Sequence, residues 1–142
     1  MTPEDLGITQ HQRNNLEKLA VLLEAVEESG FDMGSYVVAA DDEFHTFSPR
    51  QACNTECGTV ACAAGHLVGI VKPLKGEGWD AFIDRATGVG NRSIIWCWLF
   101  HGAWASVDNT ARGASRRIKY FLERDVPDDW EEQLNGWVEL RY

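Results

Sequence analysis

"TQHQRNNLEKLAVLLEAVEESG", residues 9–30, decides the fold class of this 142-residue chain. Leu16, Leu19, Ala20, Leu23 and Val26 return at helical spacing, which gives one apolar flank, and Gly30 supplies a stop signal. Trp79, Phe82, Ile83 and Ala86 repeat the pattern over a shorter span that "GVGN", 88–91, brings to an end. Ala111, Ala114, Ile118, Phe121 and Leu122 form the apolar face of a helix opening at position 110, with the basic residues on its other face. Asn109 or Thr110 caps that helix, and "VPDDW", 126–130, ends it. "SIIWCWLF", 93–100, is apolar on nearly every side and predicts a helix through the centre of the core. Thr59 offers an N-cap for a further helix through "VACAAGHLVGIV", ending before Pro73, and "DDWEEQLNGWVELRY" adds one short helix at the end. Only "YVVAA" reads as strand, so a short β element is expected near residues 36–47. The expected fold is therefore mostly α, a compact single globular domain spanning 1–142.

Composition supports a packed core. Hydrophobic residues make up 44 % and aromatic residues 11 % of the chain, including six tryptophans, more apolar surface than a disordered chain carries. The longest apolar run, 93–100, falls far short of the roughly 20 residues a membrane helix needs. The first fifteen residues, "MTPEDLGITQHQRNN", lack the basic-then-apolar order of a secretory signal, so the expected setting is the cytoplasm, where thiols stay reduced.

The net charge of −9 argues against general binding to nucleic acid, which draws on clustered Lys and Arg. That charge is unevenly spread. Residues 1–47 hold ten acids against Arg13 and Lys18, and residues 125–142 hold six acids against Arg141. The segment 112–124 reverses the sign with Arg112, Arg116, Arg117, Lys119 and Arg124 against Glu123. These five cations are the candidate ligand-binding residues, because their spacing converges several positive groups on one phosphate or acidic surface.

Three of the four cysteines fall in "CNTECGTVACAAGH", 53–66. Cys53, Cys57, Cys62 and His66 form a candidate Cys3His zinc set, with Cys62 and His66 sharing a face at i and i+4. The spacing lacks the C-x2-C turn that most zinc knuckles use. A reactive thiol at Cys57 or Cys62, near a helix start, is a second reading. In the third, the Ala- and Gly-rich stretch is simply narrow enough to pack closely, with Cys62 as a small apolar filler and His66 as a hydrogen-bonded helix residue. The third is preferred; no cofactor is expected, zinc being the alternative. Phosphate loops and the H-E-x-x-H, zinc-deaminase and G-x-S-x-G patterns do not occur in the chain.

"CGTVACAAGH" (57–66), "WLFHGAWASVDNTARGASRRIKYFL" (98–122) and "VPDDW" together resemble a set of small uncharacterised proteins of bacteriophages and bacteria, which share C-G-T-x-x-C-x-x-G. Cys57, Gly58, Thr59, Cys62 and Gly65 match that motif, and Cys53 stands outside it. The resemblance implies a viral or mobile-element accessory protein and supplies no activity. The expected function is non-enzymatic: binding and modulating, most simply inhibiting, a host protein such as a defence factor. Glu17, Glu24, Glu27 and Glu28 of the first long helix would complement a basic partner surface. One alternative is sequestration of a small phosphorylated or nucleotide ligand by the basic helix with stacked tryptophans; another is a zinc- or thiol-dependent enzyme using the cysteine cluster. Six tryptophans also leave room for a homo-oligomer contact.

Overall fold

A computed structural model describes residues 1–34, 37–39, 42–46, 48–52, 59–91 and 93–142, with residues 37–39, 42–46, 59 and 60 described by backbone alone. The fold is mostly α-helical. Helix α1 (Pro3–Leu6) leads through a left-handed Gly7 into α2 (Gln10–Ala25), and each begins with a reciprocal capping box. At α2 the Thr9 hydroxyl accepts from the Gln12 N–H at 3.1 Å while the Gln12 side-chain oxygen accepts from the Thr9 N–H at 2.9 Å. Leu16, Leu19, Ala20 and Leu23 are buried as the periodicity requires. The helix stops at Ala25, and Glu28–Gly30 forms a separate 3-10 turn.

The strands β1 (Val37–Ala39), β2 (Asp42–Thr46) and β3 (Thr59–Ala61) form one antiparallel sheet in the order β2-β1-β3. The expected β element is present, and β3 corrects the helix start placed at Thr59. Thr59 and Val60 are β-branched, favour extended backbone, and find an edge to pair with in β1. After the short helix α3 (Pro49–Ala52), the second main helical run is thereby cut to α4 (Ala63–His66), followed by a 3-10 turn at Leu67–Gly69.

Helix α5 (Trp79–Thr87) buries Phe82, Ile83 and Ala86 and ends at a left-handed Gly88. Helix α6 (Ile94–Phe100) is capped by Ser93 and buries Trp98, Leu99 and Phe100. Its first turn is not central: Ile94 is 54 % exposed, so the all-round apolar run enters the core by one end only. After a 3-10 turn at Gly102–Ser106 come α7 (Ala111–Arg124), capped by Thr110, and α8 (Trp130–Leu134). Helices α2 and α7 lie side by side, and the cluster around Trp98, Trp104, Phe82 and Phe121 fills the space beneath them.

Gly88 serves two needs at once. Its φ of 75° is costly for any residue with a Cβ, and a Cβ there would sit 2.6 Å from Gln12 Oε1 and 2.9 Å from Ile8. Gly76 has nearly the same φ, 76°, in open space. Gly88→Ala is therefore expected to cost about 2–4 kcal/mol in urea unfolding and Gly76→Ala about 1–2. Equal costs would show that the contact with α2 contributes nothing.

Candidate functional site

Among the sequence-derived metal candidates, Cys53 and Cys57 lie outside the described residues. Cys62 and His66 are both occupied locally. The Cys62 thiol caps α4 by accepting from the Gly65 N–H at 3.4 Å, and burial pushes its pKa up to about 11, which keeps it neutral. His66 Nε2 lies 2.9 Å from the Gly30 carbonyl, an acceptor only, so that nitrogen carries the proton and donates. The imidazole stacks on Phe31 at 6.2 Å between ring centroids, and desolvation holds its pKa below the usual histidine value. The thiol thus closes the start of α4, and the imidazole ties its end to Gly30 and Phe31.

The five-cation stripe divides three ways. Arg112, Arg116 and Lys119 line one open recess of about 400 Å3 together with Glu24 of α2. Lys119 Nζ is paired with Glu24 Oε1, and this contact lowers the Glu24 pKa chiefly by its hydrogen bond and then by charge. Arg124 turns away and lies 5.6 Å from the Tyr120 ring, beside a second recess shared with Asp128, Asp129 and Arg141. Arg117 is corrected outright as a surface residue: it is fully buried. Ala114, Arg117, Ile118 and Phe121 are spaced i, i+3, i+4 and i+7, so the helical period that buries its neighbours carries the arginine inward with them.

Inside, Arg117 is held by groups that the sequence did not single out. Its guanidinium lies 4.2 Å from the Trp104 ring and 5.2 Å from the Tyr142 ring. Nη1 donates to the Tyr142 hydroxyl at 3.0 Å and lies 3.5 Å from Asp108 Oδ2, while that hydroxyl donates to the same Asp108 oxygen at 2.8 Å. Desolvation raises the Tyr142 pKa, so the phenol keeps the proton this bridge needs. Nε and Nη2 of Arg117 have no hydrogen-bond partner, which leaves the ring faces as their main compensation. Through Tyr142 the network anchors the segment that follows α8.

That segment carries the largest exposed aromatic side chain. Trp137 is 72 % exposed and Leu140 39 %. Gly136, at φ 75°, turns the chain out of α8, and Trp137 N–H donates back to the Glu132 carbonyl at 2.9 Å. Alongside lies a recess of about 620 Å3 whose lining includes Ala103, Val107, Leu134, Val138 and Leu140. Exposed Glu131, Glu132 and Glu139 belong to the same stretch and make its charge negative. Of the acids expected to present a charged face on α2, Glu17 pairs with Arg13 at 3.5 Å and Glu24 with Lys119, while Glu27 and Glu28 are exposed.

Two outcomes are expected. Cys62 resists iodoacetamide at pH 8 in the folded protein and reacts once urea unfolds it, as peptide mass spectrometry would read. Because burial raises its pKa, the stability from keeping this thiol neutral is complete below about 9 and is lost as pH rises through about 11; labelling at the rate of a free thiol in the native state contradicts the burial. Tyr142→Phe strips Arg117 and Asp108 of their shared hydroxyl and lowers unfolding free energy by about 1–3 kcal/mol in urea, whereas an unchanged midpoint removes the bridge from the account. Among the described residues no helix is long and apolar enough to cross a membrane. No family model, no curated protein and no solved structure matches this chain, and what it does is to be read from its own surface.

Proposed function

We propose that this chain is a non-enzymatic accessory protein of the bacteriophage type, which binds a host protein and modulates it by covering part of its surface. The observation that carries the reading is Trp137, 72 % exposed beside a partly apolar recess and within an acidic stretch. Leaving an indole in water costs free energy that burial against a partner recovers, and tryptophan is the residue type most enriched where binding energy concentrates. The acidic neighbours Glu131, Glu132 and Glu139 define the complement: a basic patch with an aliphatic or cationic group that lies across the indole. Such a contact asks nothing of the cysteines. It is in keeping with the resemblance to phage and bacterial proteins and with the overall negative charge.

Affinity capture from bacterial host lysate, run in parallel with the wild type, Trp137→Ala, Glu139→Lys and Arg116→Ala, tests the assignment. A host protein retained by the wild type and by Arg116→Ala is expected to be lost with Trp137→Ala, whose binding weakens by about thirtyfold or more when measured with the purified partner. Glu139→Lys weakens it by a smaller factor that shrinks as salt rises. Equal retention by Trp137→Ala, with melting temperature unchanged, would overturn the proposal.

A further inference from the structure

We infer that the recess between α2 and α7 is a binding site for a phosphoryl group, held by Arg112, Arg116 and Lys119 and contested by Glu24. Among the described residues four side chains line this recess of about 400 Å3, three cationic and one anionic, which leaves two positive charges uncompensated. A phosphate monoester dianion matches that excess, whereas a carboxylate leaves one cation unpaired. Arg112 and Arg116 sit at i and i+4 on exposed turns of α7, and neither has an ion-pair partner within salt-bridge distance among the described residues. Their planar forks suit a tetrahedral anion that offers several oxygens.

Glu24 gives the site its particular behaviour. It pairs with Lys119 and lies within the electrostatic reach of Arg112, so it already occupies part of the space an incoming anion needs. It orients the lysine while the site is empty and repels the ligand that replaces it. Among the described residues no aromatic side chain lines the recess, so its lining suits the charged group and not a base or a sugar. The stacked tryptophans expected to assist a nucleotide are elsewhere: Trp98 and Trp104 are buried around Arg117. Two of the five cations expected to bind, Arg117 and Arg124, take no part.

Titration of the full chain with inorganic phosphate at pH 7.5, followed by backbone amide NMR, is the test. Shifts are expected to saturate and to concentrate in residues 111–119 and around Glu24. Arg116→Ala weakens binding by about tenfold, Glu24→Gln strengthens it by about threefold, and Trp137→Ala leaves it unchanged. That last variant separates this site from the docking face proposed above. Adenosine monophosphate and a phosphoserine peptide serve as further arms. Affinities equal to that of phosphate, or a tighter phosphoserine peptide, support the inference, and a tighter adenosine monophosphate, which would require recognition of base or sugar, overturns it. Shifts spread equally over Arg13, Lys18 and Lys72, no loss in Arg116→Ala, or no gain in Glu24→Gln overturns it. So does an unphosphorylated glutamate-rich peptide that binds more tightly than the phosphoserine peptide, which would make the recess a contact for acidic protein.

Discussion

Ser115 of α7 donates its hydroxyl to the Ala20 carbonyl of α2 at 2.7 Å in a fully buried contact, with Ala114 and Ala20 keeping the two helices narrow where they meet. A buried hydroxyl without that acceptor would cost more than the bond returns, so the pairing fixes how α7 is rotated about its axis. Arg13 reaches the Leu122 carbonyl at 3.4 Å at the other end of the pair, which runs antiparallel. Once the rotation is set, every residue of α7 has its place. Ala114, Ile118, Phe121 and Leu122 go to the core, Arg117 to the tryptophan cluster, and Arg112, Arg116 and Lys119 to the recess beside Glu24.

The placement of Arg117 is the costly one. An arginine removed from water loses hydration worth several kcal/mol, and one carboxylate, one phenol and two ring faces compensate it only in part, since Nε and Nη2 stay without hydrogen bonds. Replacing such a group with an apolar side chain of similar volume is often neutral for stability. Its value here is positional: the guanidinium and Asp108 meet at the hydroxyl of Tyr142, and so the stretch carrying Trp137 and Leu140 is tied to the core at its far end. Gly136 turns it outward at the near end. An exposed indole on a tethered segment loses less conformational entropy on binding than one on a free tail.

The helices that could be read from the sequence are those whose apolar spacing coincides with burial. Leu16, Leu19, Ala20 and Leu23, then Phe82, Ile83 and Ala86, then Ala111, Ala114, Ile118, Phe121 and Leu122 face inward, and Thr110 caps α7 as its side chain suggested. Thr59 misled because a β-branched hydroxyl residue suits a helix cap and a strand equally well; the decision was made by β1, a partner in space. Arg117 was legible in principle, since its spacing from Ala114 and Phe121 assigns it to the buried face, but its charge outweighed its position. Tyr142 and Asp108 were not legible. Tyr142 stands 25 positions from Arg117 with no periodic signal linking them, and such a triad exists only once α7, the link before it that carries Asp108 and the last residues have folded together.

A chain with a net charge of −9 that keeps a basic recess is more selective than one that is basic throughout. At physiological ionic strength, screening acts over about 8 Å, so a small anion near the recess feels chiefly Arg112, Arg116 and Lys119. A polynucleotide extends well beyond that range and also meets Glu17, Glu27 and Glu28 of the adjoining helix and turn, which repel its backbone.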